Sequence, residues 1–136
     1  MPQVYTGKIV IPGDQIDAYL EALQEAEGLR APFRSRLNGL NTEFRNYLAT
    51  KYSKRTVAKH TSIVELFIDF VCDYTDVMAL EEITKGMVNS QFQRWYKSKV
   101  WDSTGPDELR VALKKFFQFL DQQKGIQNEK VLAALK

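Results

Sequence analysis

The chain has 136 residues, 44% hydrophobic and 26% charged, a composition typical of one folded globular domain rather than of a disordered or fibrous protein. Its formal net charge is only +2. No apolar run approaches the roughly 18 residues that a membrane-spanning helix needs, so we expect no membrane partner. The single cysteine excludes an internal disulfide, and the N-terminus lacks the pattern of a signal peptide, which makes a cytoplasmic location the default.

One histidine and one cysteine leave little room for metal or nucleophilic chemistry. A zinc site needs four ligands, and His60 and Cys72 have no partners at ligand spacing. The sequence also lacks the motifs of nucleophile elbows, phosphate-binding loops, dinucleotide folds and zinc proteases. We therefore expect no catalytic residue, no metal site and no cofactor in this chain.

The first elements predicted along the chain are a short strand and a helix. Residues 4–11 have the composition of a strand, and apolar residues then recur at helical spacing until Gly28, where we expect the helix to end. Pro32 suits the start of a new helix. Gly39 weakens the middle of that second segment by roughly 1 kcal/mol, which leaves open whether it forms one helix or two.

Further helices are predicted in the remainder of the chain. Ser53 is a good N-cap for a long helix whose wide apolar face makes it the central core element. Thr84 caps the next helix, and a last long helix follows the loop at 101–106 and ends at Gly125. Aromatic residues lie in stripes at helical spacing, which predicts core packing. A short tail helix is predicted over residues 129–135.

Charge is segregated along the sequence. The stretch from Arg45 to Lys59 has five basic residues and no acidic one, whereas the stretch from Thr61 to Thr84 has six acidic residues and no basic one. Basic residues return at Arg94, Lys97 and Lys99 and again at Arg110, Lys114 and Lys115. This pattern favours an anion-binding surface opposite an acidic one, as in proteins that bind nucleic acids.

Five segments stand in an informative order and spacing. They are Phe44-Arg-Asn-Tyr-Leu, Ser53-Lys-Arg-Thr-Val-Ala-Lys-His, Leu66-Phe-Ile-Asp-Phe, Leu80-Glu-Glu-Ile-Thr, and Leu109-Arg-Val-Ala-Leu-Lys-Lys-Phe-Phe-Gln-Phe-Leu with the later Lys124-Gly-Ile. Together they resemble the core-binding domain of phage integrases and tyrosine recombinases. The resemblance implies an all-α fold, a SAM-like four-helix bundle over residues 41–126. Residues 1–40 would then form an N-terminal extension with a short strand and helices, and residues 127–136 a C-terminal tail helix.

The resemblance also implies a partner, double-stranded DNA, and contact residues at two helix starts. A recombinase catalytic domain or a second copy of the chain would be further partners. The implied contacts are Lys54, Arg55, Thr56 and Lys59 in one helix and Ser103, Thr104, Arg110 and Lys114 at the other. The charge pattern adds Arg94, Lys97 and Lys99. Helix N-termini with lysine and arginine are phosphate sites, and the guanidinium of Arg55 suits a bidentate contact to guanine.

Three hypotheses about function follow. The first is a DNA-binding domain of an integrase-like recombinase. The family's catalytic arginine, lysine, histidine box and tyrosine nucleophile have no counterpart here, so the chain alone should not cut DNA. The second is a stand-alone SAM-like helical protein that binds another protein or regulates it. The third is an enzyme that acts through His60 or Cys72.

Overall fold

The computed structural model describes residues 16–100 and 102–135. Its helices are α1 (Ile16–Ala49), α2 (Lys54–Tyr74), α3 (Phe92–Lys99), α4 (Pro106–Lys124) and α5 (Glu129–Ala134), with a 3-10 turn at Leu80–Glu82 and a π-helical turn at Met87–Gln91. The predicted all-α class is therefore confirmed, while the strand predicted over residues 4–11 lies outside the described ranges. No helix within these ranges is both long and apolar enough to cross a membrane.

Helix α1 is one continuous helix of 34 residues, so the predicted helix end at Gly28 and new start at Pro32 are wrong. Proline inside a helix removes one backbone hydrogen bond, and glycine costs about 1 kcal/mol relative to alanine. Both costs are local, and packing of the C-terminal half of α1 outweighs them. The helix also crosses the expected boundary between residues 40 and 41 without a break, and Phe33 and Leu37 are buried in the common core.

Helices α1 and α2 form an antiparallel hairpin. Near its middle, Nδ2 of the buried Asn41 donates a hydrogen bond of 3.1 Å to the carbonyl of Thr61. Towards the N-terminal half of α1, Arg34 forms ion pairs with Asp69, at 3.0 Å, and with Asp73. Late residues of α1 thus lie beside early residues of α2, which places the turn at residues 50–53 at one end of the hairpin.

An aromatic core joins the hairpin to α3 and α4. The ring centroids of Phe44 and Phe116 are 5.3 Å apart, and Phe67 lies 5.1 Å from Phe92 and 6.2 Å from Phe117. All three contacts have the edge-to-face geometry that aromatic pairs prefer. The packing role predicted for these aromatic residues is confirmed.

The predicted helix ends are confirmed where side-chain or glycine chemistry sets them. Ser53 Oγ accepts a hydrogen bond of 3.3 Å from the backbone N–H of Thr56 at the start of α2. Thr84 Oγ1 accepts one of 3.2 Å from the N–H of Met87. Gly125 has a φ angle of 66°, in the left-handed region that glycine occupies without strain, and it ends α4.

Helix α5 is docked on the rest of the molecule. The Asn128 side chain accepts a hydrogen bond from the N–H of Val131 and donates two, each 3.0 Å long, to the carbonyls of Leu80 and Ile83. Val131 and Leu135 are buried in the common core. The short helix thus secures the connector between α2 and α3.

Candidate nucleic-acid interface

The first turn of α2 has cations where helices usually have acids. Lys54 and Arg55 are exposed, and neither forms an ion pair or side-chain hydrogen bond within the described ranges. Ser53 satisfies the amides of Thr56, through Oγ, and of Val57, through its carbonyl, which leaves the first amides of the helix for solvent or a ligand. The positive end of the helix dipole makes each cation here unfavourable by about 0.3–1 kcal/mol. A bound anion would reverse that penalty.

The other end of α2 has the opposite charge, and there α1 compensates it. Asp69 and Asp73 lie in the last turns of α2, where the dipole is also unfavourable to them, but Arg34 pairs with both. Arg30 donates to the carbonyl of Cys72. About 21 to 28 Å of helix separates Asp69, Cys72 and Asp73 from the basic first turn. The charge segregation therefore divides the hairpin into two ends.

The structure brings the starts of α2 and α4 together. Lys59 Nζ donates a hydrogen bond of 2.6 Å to Thr104 Oγ1 and lies 3.5 Å from a carboxylate oxygen of Glu108. The start of α4 is acidic, however. Hydrogen bonds from the Thr104 amide and the Tyr96 hydroxyl lower the pKa of Asp102, with a smaller effect of the Lys59 charge, so this carboxylate is ionised at neutral pH. The start of α2 is thus the more favourable phosphate site of the two.

The other predicted contact residues lie at several separate places. Arg110 Nη2 donates a hydrogen bond of 3.0 Å to Asn89 Oδ1, so this half-buried guanidinium holds α4 against the π-helical turn. Lys114, one turn later, is also half-buried. Lys99 Nζ lies 5.9 Å from the ring centroid of Tyr74, at the opposite end of α2 from the basic first turn. Three further predicted contacts are exposed, namely Arg94, Lys97 and Ser103.

A cluster of three residues beside the start of α2 was not predicted as part of the site. Lys115 Nζ lies 4.1 Å from the ring centroid of Tyr52 and 3.3 Å from Nε2 of His60, to which it donates. Burial and the Lys115 charge lower the pKa of His60, which keeps the imidazole neutral at pH 7. The sequence contained a partial signal for this cluster, since Tyr52 directly follows Lys51 of the basic stretch and Lys115 directly follows the predicted contact Lys114. Only the fold shows that the three residues meet.

An open groove of about 480 Å³ lies between the C-terminal part of α1 and the first turns of α2. Arg45 lines it from α1 and Lys54 from α2, and Tyr52 lines it from the connecting turn. The small side chains of Ala49 and Ala58 leave this space unfilled. The groove therefore combines two cations, one aromatic ring and a partly apolar lining.

The structure does not bring together the two residues of the third hypothesis, an enzyme that acts through His60 or Cys72. The two residues lie twelve positions apart on α2, about 18 Å along the helix axis, and both are buried. Burial raises the pKa of the Cys72 thiol, which keeps it in the protonated form that is a poor nucleophile. Within the described ranges, no group of three His, Cys, Asp or Glu side chains is arranged to hold a metal ion.

Comparison with known proteins adds no assignment. No protein-family model matches the sequence, and searches of the curated proteins and of the solved structures give no match. The function must therefore be inferred from the chain's own residues.

Proposed function

We propose that the chain is a DNA-binding module of the SAM-like, core-binding type found in integrase-like recombinases, and that it binds duplex DNA through phosphate contacts at the start of α2. The decisive observation is that Lys54 and Arg55 flank the free amides of a helix N-terminus without an acidic partner in the described ranges. A phosphate placed there gains backbone donors, the helix dipole and two cations at once.

Further cations extend this surface around the turn of the hairpin. Lys51 Nζ donates a hydrogen bond of 2.9 Å to the Tyr47 hydroxyl, and this hydrogen bond raises the pKa of Lys51, which is therefore charged at neutral pH. Lys59 lies one to two turns into α2, and Lys115 approaches from α4. Lys59 is paired with Glu108, so Lys51, Lys54, Arg55 and Lys115 offer about four phosphate contacts, which corresponds to a log-log salt slope near −4.

The assignment to a SAM-like module is supported by the order of the helices. The C-terminal part of α1 and the whole of α2, α3 and α4 fall within residues 41–126. This is the number and order of helices that the resemblance to recombinase core-binding domains implies. The chain has no counterpart of that family's catalytic box, so in this proposal DNA cleavage depends on a separate catalytic domain.

Fluorescence anisotropy of a labelled duplex of about 25 base pairs tests the proposal. We expect the double variant Lys54→Glu, Arg55→Glu to lose at least tenfold in affinity and to reduce the salt slope by about two. The matched control Lys97→Glu, Lys99→Glu changes the net charge equally, yet Lys99 lies at the other end of α2, so we expect less than a threefold loss. A wild-type chain that does not bind duplex even at low salt, or equal losses in both variants, would contradict the proposal.

The same double variant separates loss of binding from loss of folding. Acidic residues in the first turn of α2 interact favourably with the helix dipole, whereas Lys54 and Arg55 do not. We therefore expect Lys54→Glu, Arg55→Glu to raise the free energy of unfolding by about 1 kcal/mol while DNA affinity falls. Urea denaturation followed by circular dichroism measures this change. A destabilised variant would mean that these two residues have a structural role in the folded chain.

A second function, binding of another protein, is favoured by one observation. The first turn of α4 and the loop before it have three acidic residues, Asp107, Glu108 and Asp102, and these would repel a nearby phosphate. If the helices bind a protein, the anisotropy signal stays flat at all salt concentrations. The first experiment therefore distinguishes the two functions directly.

A further inference from the structure

The groove between α1 and α2 is continuous with the proposed phosphate-binding surface, because Lys54 belongs to both. Its volume of about 480 Å³ falls in the range of sites for small organic ligands. Arg45 on α1 and Lys54 on α2 are exposed cations on its two walls, and neither has an acidic partner within the described ranges. These cations are complementary to a phosphate placed between the helices.

The ring of Tyr52 is held in place beside this groove. Lys115 Nζ lies 4.1 Å from its centroid, and the His60 ring meets it edge-on at a centroid distance of 6.5 Å. Tyr52 nevertheless remains 41% exposed and lines the groove. A positioned, exposed aromatic ring among cations is the arrangement on which proteins stack unpaired bases.

We propose that the groove binds one unpaired nucleotide of a DNA strand, whose base stacks on Tyr52 while its phosphate lies between Arg45 and Lys54. The groove is open and is bordered by the basic surface. This shape suits a nucleotide within a strand, because the strand must enter the groove on one side of that nucleotide and leave it on the other. A paired base cannot reach the ring, because its faces are covered by neighbouring base pairs. This inference rests on the proposed function and narrows its DNA to ends, gaps or junctions with an unpaired base.

The test compares two labelled DNAs, a blunt duplex and the same duplex with a short 3′ overhang that contains 2-aminopurine. We expect the wild-type chain to bind the overhang DNA about tenfold more tightly and to quench 2-aminopurine fluorescence by stacking. Tyr52→Phe should keep both effects because it keeps the ring. Tyr52→Leu should lose both and still bind the blunt duplex within twofold of wild type.

The outcomes separate this inference from the proposed function. Equal affinity of the wild-type chain for both DNAs overturns the nucleotide site and leaves duplex binding intact. Failure to bind either DNA overturns both. Deoxyadenosine monophosphate that displaces the overhang DNA at micromolar concentration would assign the groove to a free nucleotide and overturn the strand assignment. Arg45→Gln should reduce the overhang preference alone, whereas Lys54→Glu should weaken binding to both DNAs.

Discussion

At the scale of single residues, the contact between Lys115 and His60 places a positive charge against an imidazole. Nδ1 of His60 is buried without a hydrogen-bond partner in the described ranges, and Lys115 approaches Nε2. Neither environment suits a protonated ring. His60 is therefore a neutral packing residue whose acceptor nitrogen orients the lysine over Tyr52.

The titration of His60 follows from this contact. Its pKa is lowered in the folded chain, first by burial and then by Lys115, so we expect an NMR titration midpoint below 6.5. The unfolded chain has the higher His60 pKa and so binds the proton more readily than the folded chain. The contribution of the neutral His60 ring to the free energy of unfolding is therefore complete above about pH 6.5, and it is lost as the pH falls through the lowered pKa of the folded chain. The chain has one histidine, so its imidazole signals need no assignment.

Lys115→Met is the corresponding variant, and it should move the His60 midpoint upwards towards 6.5 because it removes the repelling charge. As a control, Lys114→Met removes the neighbouring charge and should leave the midpoint nearly unchanged. A wild-type midpoint at or above 6.5 would show that the Lys115 contact is absent in solution.

At the scale of elements, α1 shows why local signals mispredicted a helix boundary. Glycine and proline usually mark turns or helix ends in a sequence. Helix α1 nevertheless continues through both Gly28 and Pro32. The aromatic and aliphatic stripe of Phe33, Leu37, Leu40 and Phe44 is buried and fixes the C-terminal half of the helix against α2 and α4. Burial of each such side chain contributes about 1.5–3 kcal/mol, more than a glycine costs.

Two glycines provide a matched test of backbone conformation. A Cβ added at Gly39 or at Gly125 meets no atom within 4 Å, so the two sites differ only in backbone geometry. Gly39 is helical, and we expect Gly39→Ala to raise the free energy of unfolding by about 0.5–1 kcal/mol. Gly125 has a φ of 66°, and Gly125→Ala should lower the free energy of unfolding by about 1 kcal/mol. Urea denaturation measures both, and a shift of the same sign in the two variants would contradict the described geometry.

At the scale of the whole molecule, α5 holds distant parts of the chain together. Asn128 joins α5 to the carbonyls of Leu80 and Ile83, which lie more than forty residues earlier in the sequence. The buried Val131 and Leu135 connect the same helix to the core. The connector after α2 therefore depends on the C-terminal segment for its position.

Asn128→Ala tests this connection. It removes the N-cap of α5 and leaves the two connector carbonyls without their donor, so we expect a loss of about 1–3 kcal/mol in the free energy of unfolding. Asn38→Ala is the control, since Asn38 is exposed and its side chain forms no hydrogen bond in the described ranges. Thermal or urea denaturation measures both variants. Equal stability of Asn128→Ala and wild type would show that α5 is not docked in solution.

The amino-acid sequence was enough to predict the helical class, the central position of α2 and the helix ends at Ser53, Thr84 and Gly125. These features depend on hydrophobic periodicity and on capping contacts within a few residues, which a sequence displays directly. It also identified the basic run that forms the start of α2. The sequence thus predicted the basic residues at the start of α2, but it did not predict which side chains lie around them.

The continuity of α1, the groove, and the partner of each described cation depend on how the helices pack together. Arg34 meets Asp69, Lys59 meets Glu108, and Lys115 meets His60 across 35 to 55 residues of sequence. The acidic partners neutralise Arg34 and Lys59, whereas Lys54 and Arg55 have no acidic partner within the described ranges and stay available to a ligand. Local backbone preferences determine where helices form, whereas the packing of helices against one another determines which side chains become neighbours.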